Sequence, residues 1–115
     1  RTFCYAADAI TGYYKVLVRG GDGEPYNVGI ETPEISMNEL ANKVIGNARQ
    51  MYGYAGRLVN QPNPEAVYLV DNPNRRCPSI AKARRELGYD PRIEIDEGLW
   101  RAMVWYHHNR EAEDA

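Results

Sequence analysis

Cysteine is scarce in this chain. Cys4 and Cys77 form no C-x-x-C pair and have no flanking histidines, so neither a zinc site nor a redox dithiol is indicated, and free thiols in a reducing compartment are expected. Long hydrophobic runs are missing as well. No apolar stretch approaches the roughly 18 residues that a membrane helix needs, and the first residues lack the charged-then-apolar order of a signal peptide. The resulting expectation is a cytoplasmic protein with no membrane partner. An excess of charge is also lacking, since 14 Lys+Arg against 16 Asp+Glu leave a formal charge of −2. That balance supplies no global field toward nucleic acid or anionic lipid, so any anion site must be local.

Several chemical signatures are absent too. No G-x-G-x-x-G or G-x-x-G-x-x-G follows a strand signal, and the Gly20 to Gly23 cluster precedes an extended segment instead of opening a helix, so it reads as a turn. G-x-S-x-G, H-E-x-x-H and EF-hand spacings do not occur. His107 and His108 are neighbours that a helix points about 100° apart, which prevents both from facing one metal. Tyr13, Tyr14 and Lys15 are contiguous and do not form a Tyr-x-x-x-Lys pair.

What is present reads as one soluble domain spanning residues 1–115, with 43% hydrophobic and 26% charged residues. Phe3-Cys4-Tyr5 suggests a short strand, with Asp8 near a helix start. Ile10, Tyr13, Tyr14, Leu17 and Val18 follow at the spacing of an amphipathic stripe, which predicts a core-facing helix surface. Tyr26 to Ile30 reads as a buried strand. Ser36 with Glu39 is a capping box, followed by an apolar face of Met37, Leu40, Ala41, Val44, Ile45 and Ala48. Arg57 to Val59 and Ala66 to Val70 are further strand candidates. Ser79 is expected to cap a helix from Ile80 to Leu87, with Gly88 as its stop and Pro91 forbidding continuation. Ile93 to Ile95 reads as extended. Asp96 is expected to cap a last helix striped by Leu99, Ala102, Met103 and Tyr106, ending near His107 or His108. The predicted fold class is therefore α/β, with short strands alternating with about four helices in the order β-α-β-α-β-α-α. Such a sheet is too small for a complete doubly wound fold.

The residues that could carry chemistry are arginines far apart in sequence. Arg1 stands at the mouth of the first extended segment, and Arg75-Arg76 stand in a loop flanked by Pro73 and Pro78. Guanidinium groups present fixed planar donors that suit carboxylate or diphosphate oxygens, and a stiff loop limits the entropy lost on ordering. Together these sites could clamp a diphosphate, or Arg75 and Arg76 could be solvated loop charges. Lys82, Arg84 and Arg85 read as a solvated helix face.

Seven blocks, in order and at similar spacing, resemble the C-terminal third of extended short-chain dehydrogenases acting on nucleotide sugars. They are Arg1-Thr2-Phe3-Cys4-Tyr5, Asp8 opening a helix, Glu24-Pro25-Tyr26-Asn27-Val28-Gly29, and Glu34-Ile35-Ser36 with Glu39-Leu40-Ala41. Arg75-Arg76-Cys77-Pro78-Ser79-Ile80 with Lys82-Ala83, Glu86-Leu87-Gly88-Tyr89-Asp90-Pro91 and Asp96-Glu97-Gly98-Leu99 complete the set. By that resemblance Arg1 and Arg76 contact the diphosphate of a nucleotide sugar, and Tyr5 lies near the substrate. Many relatives carry aspartate where this chain has Ser79. The R-x-P-S-I form and R-T-F-C-Y are similar to enzymes that oxidise UDP-glucuronate at C4, release CO2 and re-reduce the sugar. In that branch the arginine matching Arg76 is implicated near the sugar carboxylate, a catalytic role.

The resemblance also implies NAD, bound by an N-terminal Rossmann domain that these residues do not include, and a Tyr-x-x-x-Lys pair also outside them. The chain is thus expected to be an inactive fragment of a longer enzyme. Its apolar surface, around Tyr26 to Ile30 and the Met37 to Ala48 helix, would be meant for the missing domain or for self-association in a homo-oligomer. An epimerase or 4,6-dehydratase is the alternative within the family, and a non-catalytic nucleotide-sugar-binding module the alternative outside it. Nucleic-acid binding is disfavoured by the negative charge and by the lack of an aromatic stacking face beside the arginines.

Overall fold

The computed structural model describes residues 1–61 and 75–109. Four helices run through them: α1 (Ala6–Arg19), α2 (Met37–Tyr52), α3 (Ala81–Leu87) and α4 (Ile95–Asn109). They pack in pairs, α1 against α3 and α2 against α4.

Helix α1 begins two residues before Asp8, which sits in its first turn, while Arg19 sits in its last, both favourable to the helix dipole. The Asp8 carboxylate accepts the backbone N–H groups of Arg92 at 3.0 Å and Ile93 at 2.8 Å, so it ties this helix to the chain leading into α4. The expected orientation of α1 is reversed. Ile10, Tyr13, Tyr14, Leu17 and Val18, read as its core stripe, are exposed, Leu17 by 80% and Val18 by 78%. The inward face runs through Gly12 and Val16 instead. A Cβ on Gly12 would lie 2.5 Å from Val28 Cγ1 and 2.9 Å from Tyr89 Cε2, so only glycine lets the helix settle onto those side chains. Periodicity reports that a helix has an apolar face, and close approach at Gly12 decides which face the core receives.

Helix α2 starts as expected: Glu39 N–H donates to Ser36 Oγ at 3.1 Å and Ser36 N–H donates to Glu39 Oε2 at 2.7 Å. Helix α3 stops as expected at Gly88, whose φ of 62° lets Tyr89 N–H turn back to Ala83 O at 3.2 Å. Its start differs. Ile80, not Ser79, is the N-cap, and the Ile80 N–H is satisfied from a distant segment by the carboxylate of Glu31 at 3.1 Å. Helix α4 begins at Ile95, because Gly98 N–H already bonds Glu94 O at 2.9 Å. Asp96 therefore lies inside the first turn, where it pairs with Lys43 of α2 at 2.7 Å. The helix runs past His107 and His108 to Asn109. Tyr52 donates to Met103 O at 2.8 Å and stacks on His107, which completes the contact between α2 and α4.

The core is small. Ile80, Ala83, Leu87 and Tyr89 are each 1% exposed, and Val16, Tyr26 and Val28 pack against them.

The α/β expectation is overturned: no strand occurs among the described residues. Phe3 to Tyr5, Tyr26 to Ile30 and Arg57 to Val59 are not helical, but none pairs with a neighbour in a ladder, and Ile95 belongs to α4. A strand is defined by its partner, since its ladder forms only where another extended segment takes the backbone N–H and C=O groups. In this chain Tyr5 packs on Gly98, and Tyr26 and Val28 pack on the core, while the main chains of these segments meet no ladder. The Ala66 to Val70 candidate lies outside the described residues.

Candidate functional site

Three segments distant in sequence meet where the predicted arginines stand. Arg1 and Ile35 exchange main-chain hydrogen bonds at 2.8 and 2.9 Å, and Thr2 N–H donates to Arg76 O at 3.2 Å. The structure thus brings Arg1 and Arg76 side by side along the backbone. Arg75 is placed differently. Its guanidinium forks onto the Glu34 carboxylate, Nε at 2.9 and 3.1 Å and a terminal nitrogen at 2.9 Å. That pairing holds the Glu34 carboxyl below its ordinary range and occupies Arg75. Arg76 is exposed, and its side chain forms no ion pair among the described residues. Arg1 is half-buried and engaged in contacts of its own.

The loop that carries Arg76 is fastened at almost every residue. Cys77 Sγ donates to Glu31 O at 3.4 Å, Pro78 meets Gly29 closely, and Asn27 Nδ2 donates to Ser79 O at 3.0 Å. Ser79 Oγ donates to Glu31 Oε1 at 3.4 Å, and Arg84 reaches Glu31 Oε2 at 3.1 Å. These donors, the Ile80 N–H first, hold the Glu31 carboxyl below its usual range. Ser79 therefore faces Glu31, where an aspartate would set two carboxylates against each other. Pro73, the other proline expected to stiffen the loop, lies outside the described residues.

Tyr5 sits elsewhere. It is the N-cap residue of α1, its ring packs on Gly98 of α4, and Arg101 stands 5.9 Å over the ring. With Phe3, Leu99 and Ala102 it lines an apolar cavity of about 260 Å³. The structure does not bring Tyr5 into contact with Arg76. Lys82, Arg84 and Arg85 are each paired, with Glu24, Glu31 and Glu86 respectively. The Cys4 thiol is pushed up by burial, and its sulfur lies 3.7 Å from the Tyr89 hydroxyl, which leaves it a poor nucleophile.

Sequence reasoning missed Glu31, and it took Glu34 only as part of a motif. The available signal was a pair of glutamates three residues apart on a proline-containing loop, but their arginine partners lie too far away in sequence to be read. Chemically, the arrangement is a fastened loop presenting one guanidinium unpaired among the described residues, Arg76, whose main chain neighbours the segment that carries Arg1. Such a site can grip a diphosphate or carboxylate with little ordering cost.

No family model matches the chain. Over 117 residues it is 30% identical to a mouse dTDP-D-glucose 4,6-dehydratase, a match that covers 95% of this chain and 30% of that enzyme. It is 35% identical to UDP-glucuronic acid decarboxylase 3 of Arabidopsis thaliana, across 86% of this chain and 26% of the relative. Among solved structures, the Bordetella bronchiseptica enzyme WbmF in complex with NADH superimposes with a TM-score of 0.73 at 30% identity, over 97% of this chain and 30% of that one. WbmF in complex with NAD+ and UDP superimposes equally well, with a TM-score of 0.73. The chain thus spans a little under a third of the relatives it matches.

Proposed function

We propose, from the premise that the chain belongs over its matched length to the extended short-chain dehydrogenase family of NAD-dependent nucleotide-sugar dehydratases and decarboxylases, that it is the part of such an enzyme that grips the nucleotide-sugar diphosphate. The observation carrying this reading is the union of Arg1 and Arg76 through the Thr2 to Arg76 main-chain bond, with the Arg76 guanidinium exposed and unpaired among the described residues. A diphosphate carries charge enough for both arginines, and planar forks match its oxygens. The UDP held by the structural relative WbmF agrees in chemical class.

The described residues do not fit NAD. Helices α1, α2 and α3 open at Tyr5, Ser36 and Ile80 and not at glycines, so none of these three starts offers the close approach a dinucleotide pyrophosphate needs. In this reading NAD is held by another part of the enzyme and this chain alone does not turn over substrate. Of the two named activities among its relatives, UDP-glucuronate decarboxylation is the one we propose. Ser79 in R-x-P-S-I supports it, together with the higher identity to the plant decarboxylase. There Arg76 would hold the sugar carboxylate. The longer match to the mouse dehydratase favours 4,6-dehydration as the second reading.

The test is a titration of UDP into the full-length enzyme and its Arg76→Ala variant. Binding weakened about tenfold or more by the substitution, the scale of one charge-assisted contact, is the expected result. Equal affinity for both proteins would remove the proposal.

A further inference from the structure

We infer that Glu31 and Glu34 are positioning residues that clamp the 75–80 loop at its two ends, leaving Arg76 as the loop's free cation for ligand. The inference rests on the diphosphate reading above and names what holds that site in shape. At the loop's start, the Glu34 carboxylate takes Arg75 through three contacts of 2.9, 2.9 and 3.1 Å. At its end, the Glu31 carboxylate takes the Ile80 N–H at 3.1 Å and Ser79 Oγ at 3.4 Å, while the Glu31 carbonyl takes Cys77 Sγ at 3.4 Å. Arg76, between the two ends, gives only its carbonyl, to Thr2 at 3.2 Å.

The clamp also sorts charge. Glu34 neutralises Arg75, and Glu31 neutralises Arg84 at 3.1 Å. Arg76 keeps its charge. Because Arg75 and Arg76 are adjacent, a loop lacking Glu34 could present either guanidinium, and the ligand would then meet two exchanging geometries in place of one.

The inference opposes simple electrostatics, which makes it testable. Removing a carboxylate near an anion site should tighten anion binding by Coulomb attraction alone. If Glu34 acts by positioning, removing it weakens binding instead. The experiment uses the full-length enzyme with Glu34→Gln, a change at a side chain 35% exposed that disturbs no core contact. Two readouts are taken at a temperature well below melting.

The first needs no ligand: hydrogen exchange at the Thr2 amide, which reports the loop through Arg76 O. It should accelerate about tenfold in Glu34→Gln and in Glu31→Gln, while amides inside α1 are unaffected. The second is UDP affinity in wild type, Glu34→Gln, Arg76→Ala and the double variant. Glu34→Gln should weaken UDP about tenfold, and that loss should vanish in the Arg76→Ala background. Unchanged Thr2 exchange overturns the clamp. Where Arg76→Ala weakens UDP, equal or tighter UDP binding by Glu34→Gln overturns it as well, as does the same loss with and without Arg76. If exchange accelerates while wild type and Arg76→Ala bind UDP alike, the clamp stands and the diphosphate reading falls.

Discussion

Tyr89 donates its hydroxyl to the carbonyl oxygen of Gly29 at 3.0 Å from a side chain that is only 1% exposed. One bond thus joins the turn after α3 to the extended segment that covers the core. Tyr89→Phe keeps the ring and deletes the donor, which leaves the Gly29 carbonyl without that partner. A loss of about 1–3 kcal/mol is expected, the cost of an unsatisfied buried acceptor, and denaturant unfolding of the two proteins measures it. Burial raises the phenol above its ordinary value, so the stability tied to its neutral form is complete below about pH 10 and is lost as pH rises toward the folded-state value. Phenylalanine at this position should flatten that alkaline loss.

Gly12 is the place where α1 touches Tyr89 and Val28. A methyl group there would stand 2.5 Å from Val28 Cγ1, inside contact distance. Gly12→Ala should therefore destabilise by about 1–3 kcal/mol, even though alanine is the better helix former. A thermal melt in which the variant is as stable as wild type would contradict the packing described.

Acid should loosen the chain through its carboxylates. Glu31, Glu34, Glu39 and Glu86 each titrate below the usual 4.5 when folded, held by the Ile80 N–H, Arg75, the Ser36 N–H and Arg85 respectively. With depressed folded-state values, their contribution is present above about pH 4.5 and disappears as pH falls through those values. Unfolding midpoints measured from about pH 6 down to pH 3 should decline below pH 4.5, and less steeply in Glu34→Gln.

Arg76→Lys keeps a charge and loses the planar fork. In the full-length enzyme it should retain weak nucleotide-sugar binding and lose most turnover, on the order of 100-fold in kcat. Steady-state kinetics that return a near-normal kcat would contradict a role for Arg76 beyond holding charge.

The outward stripe of α1 should drive association of the isolated chain. Tyr13, Tyr14, Leu17 and Val18 are 63%, 65%, 80% and 78% exposed, a contiguous apolar surface. Met37 and Val44 of α2 are exposed as well, whereas Val28 is packed on the core and Gly29 is buried. Light scattering over a wide concentration range should show self-association of the 115-residue chain. Leu17→Glu with Val18→Lys should suppress it while changing stability by less than about 0.5 kcal/mol, since neither side chain is in the core. A monodisperse wild-type monomer throughout would refute the expectation.

Much of this molecule was legible before its coordinates, and the division follows the range of the forces involved. The Ser36 and Glu39 capping box, the Gly88 stop and the positions of the four helices rest on contacts within a turn or two, and such contacts are written in consecutive residues. Arg1 and the Arg75-Arg76 pair stood out as planar cations beside an extended segment and in a proline-bearing loop, with solvated charge as the alternative, and only the family resemblance preferred Arg76 within the pair. Tyr5 was marked by the family motif, but its ring packs on Gly98 of α4.

What the sequence by itself determined was local: roughly where the four helices lie, the capped start of α2, the glycine stop of α3, and that α1 has an apolar face. Only the tertiary structure decided that Gly12 turns that face outward, that the β-prone segments among the described residues form no ladder, and that Glu34 takes Arg75 and leaves Arg76. A ladder, the Arg75 to Glu34 pair and the packing on Gly12 each need a partner from a distant part of the chain, and no spacing along one segment can name that partner.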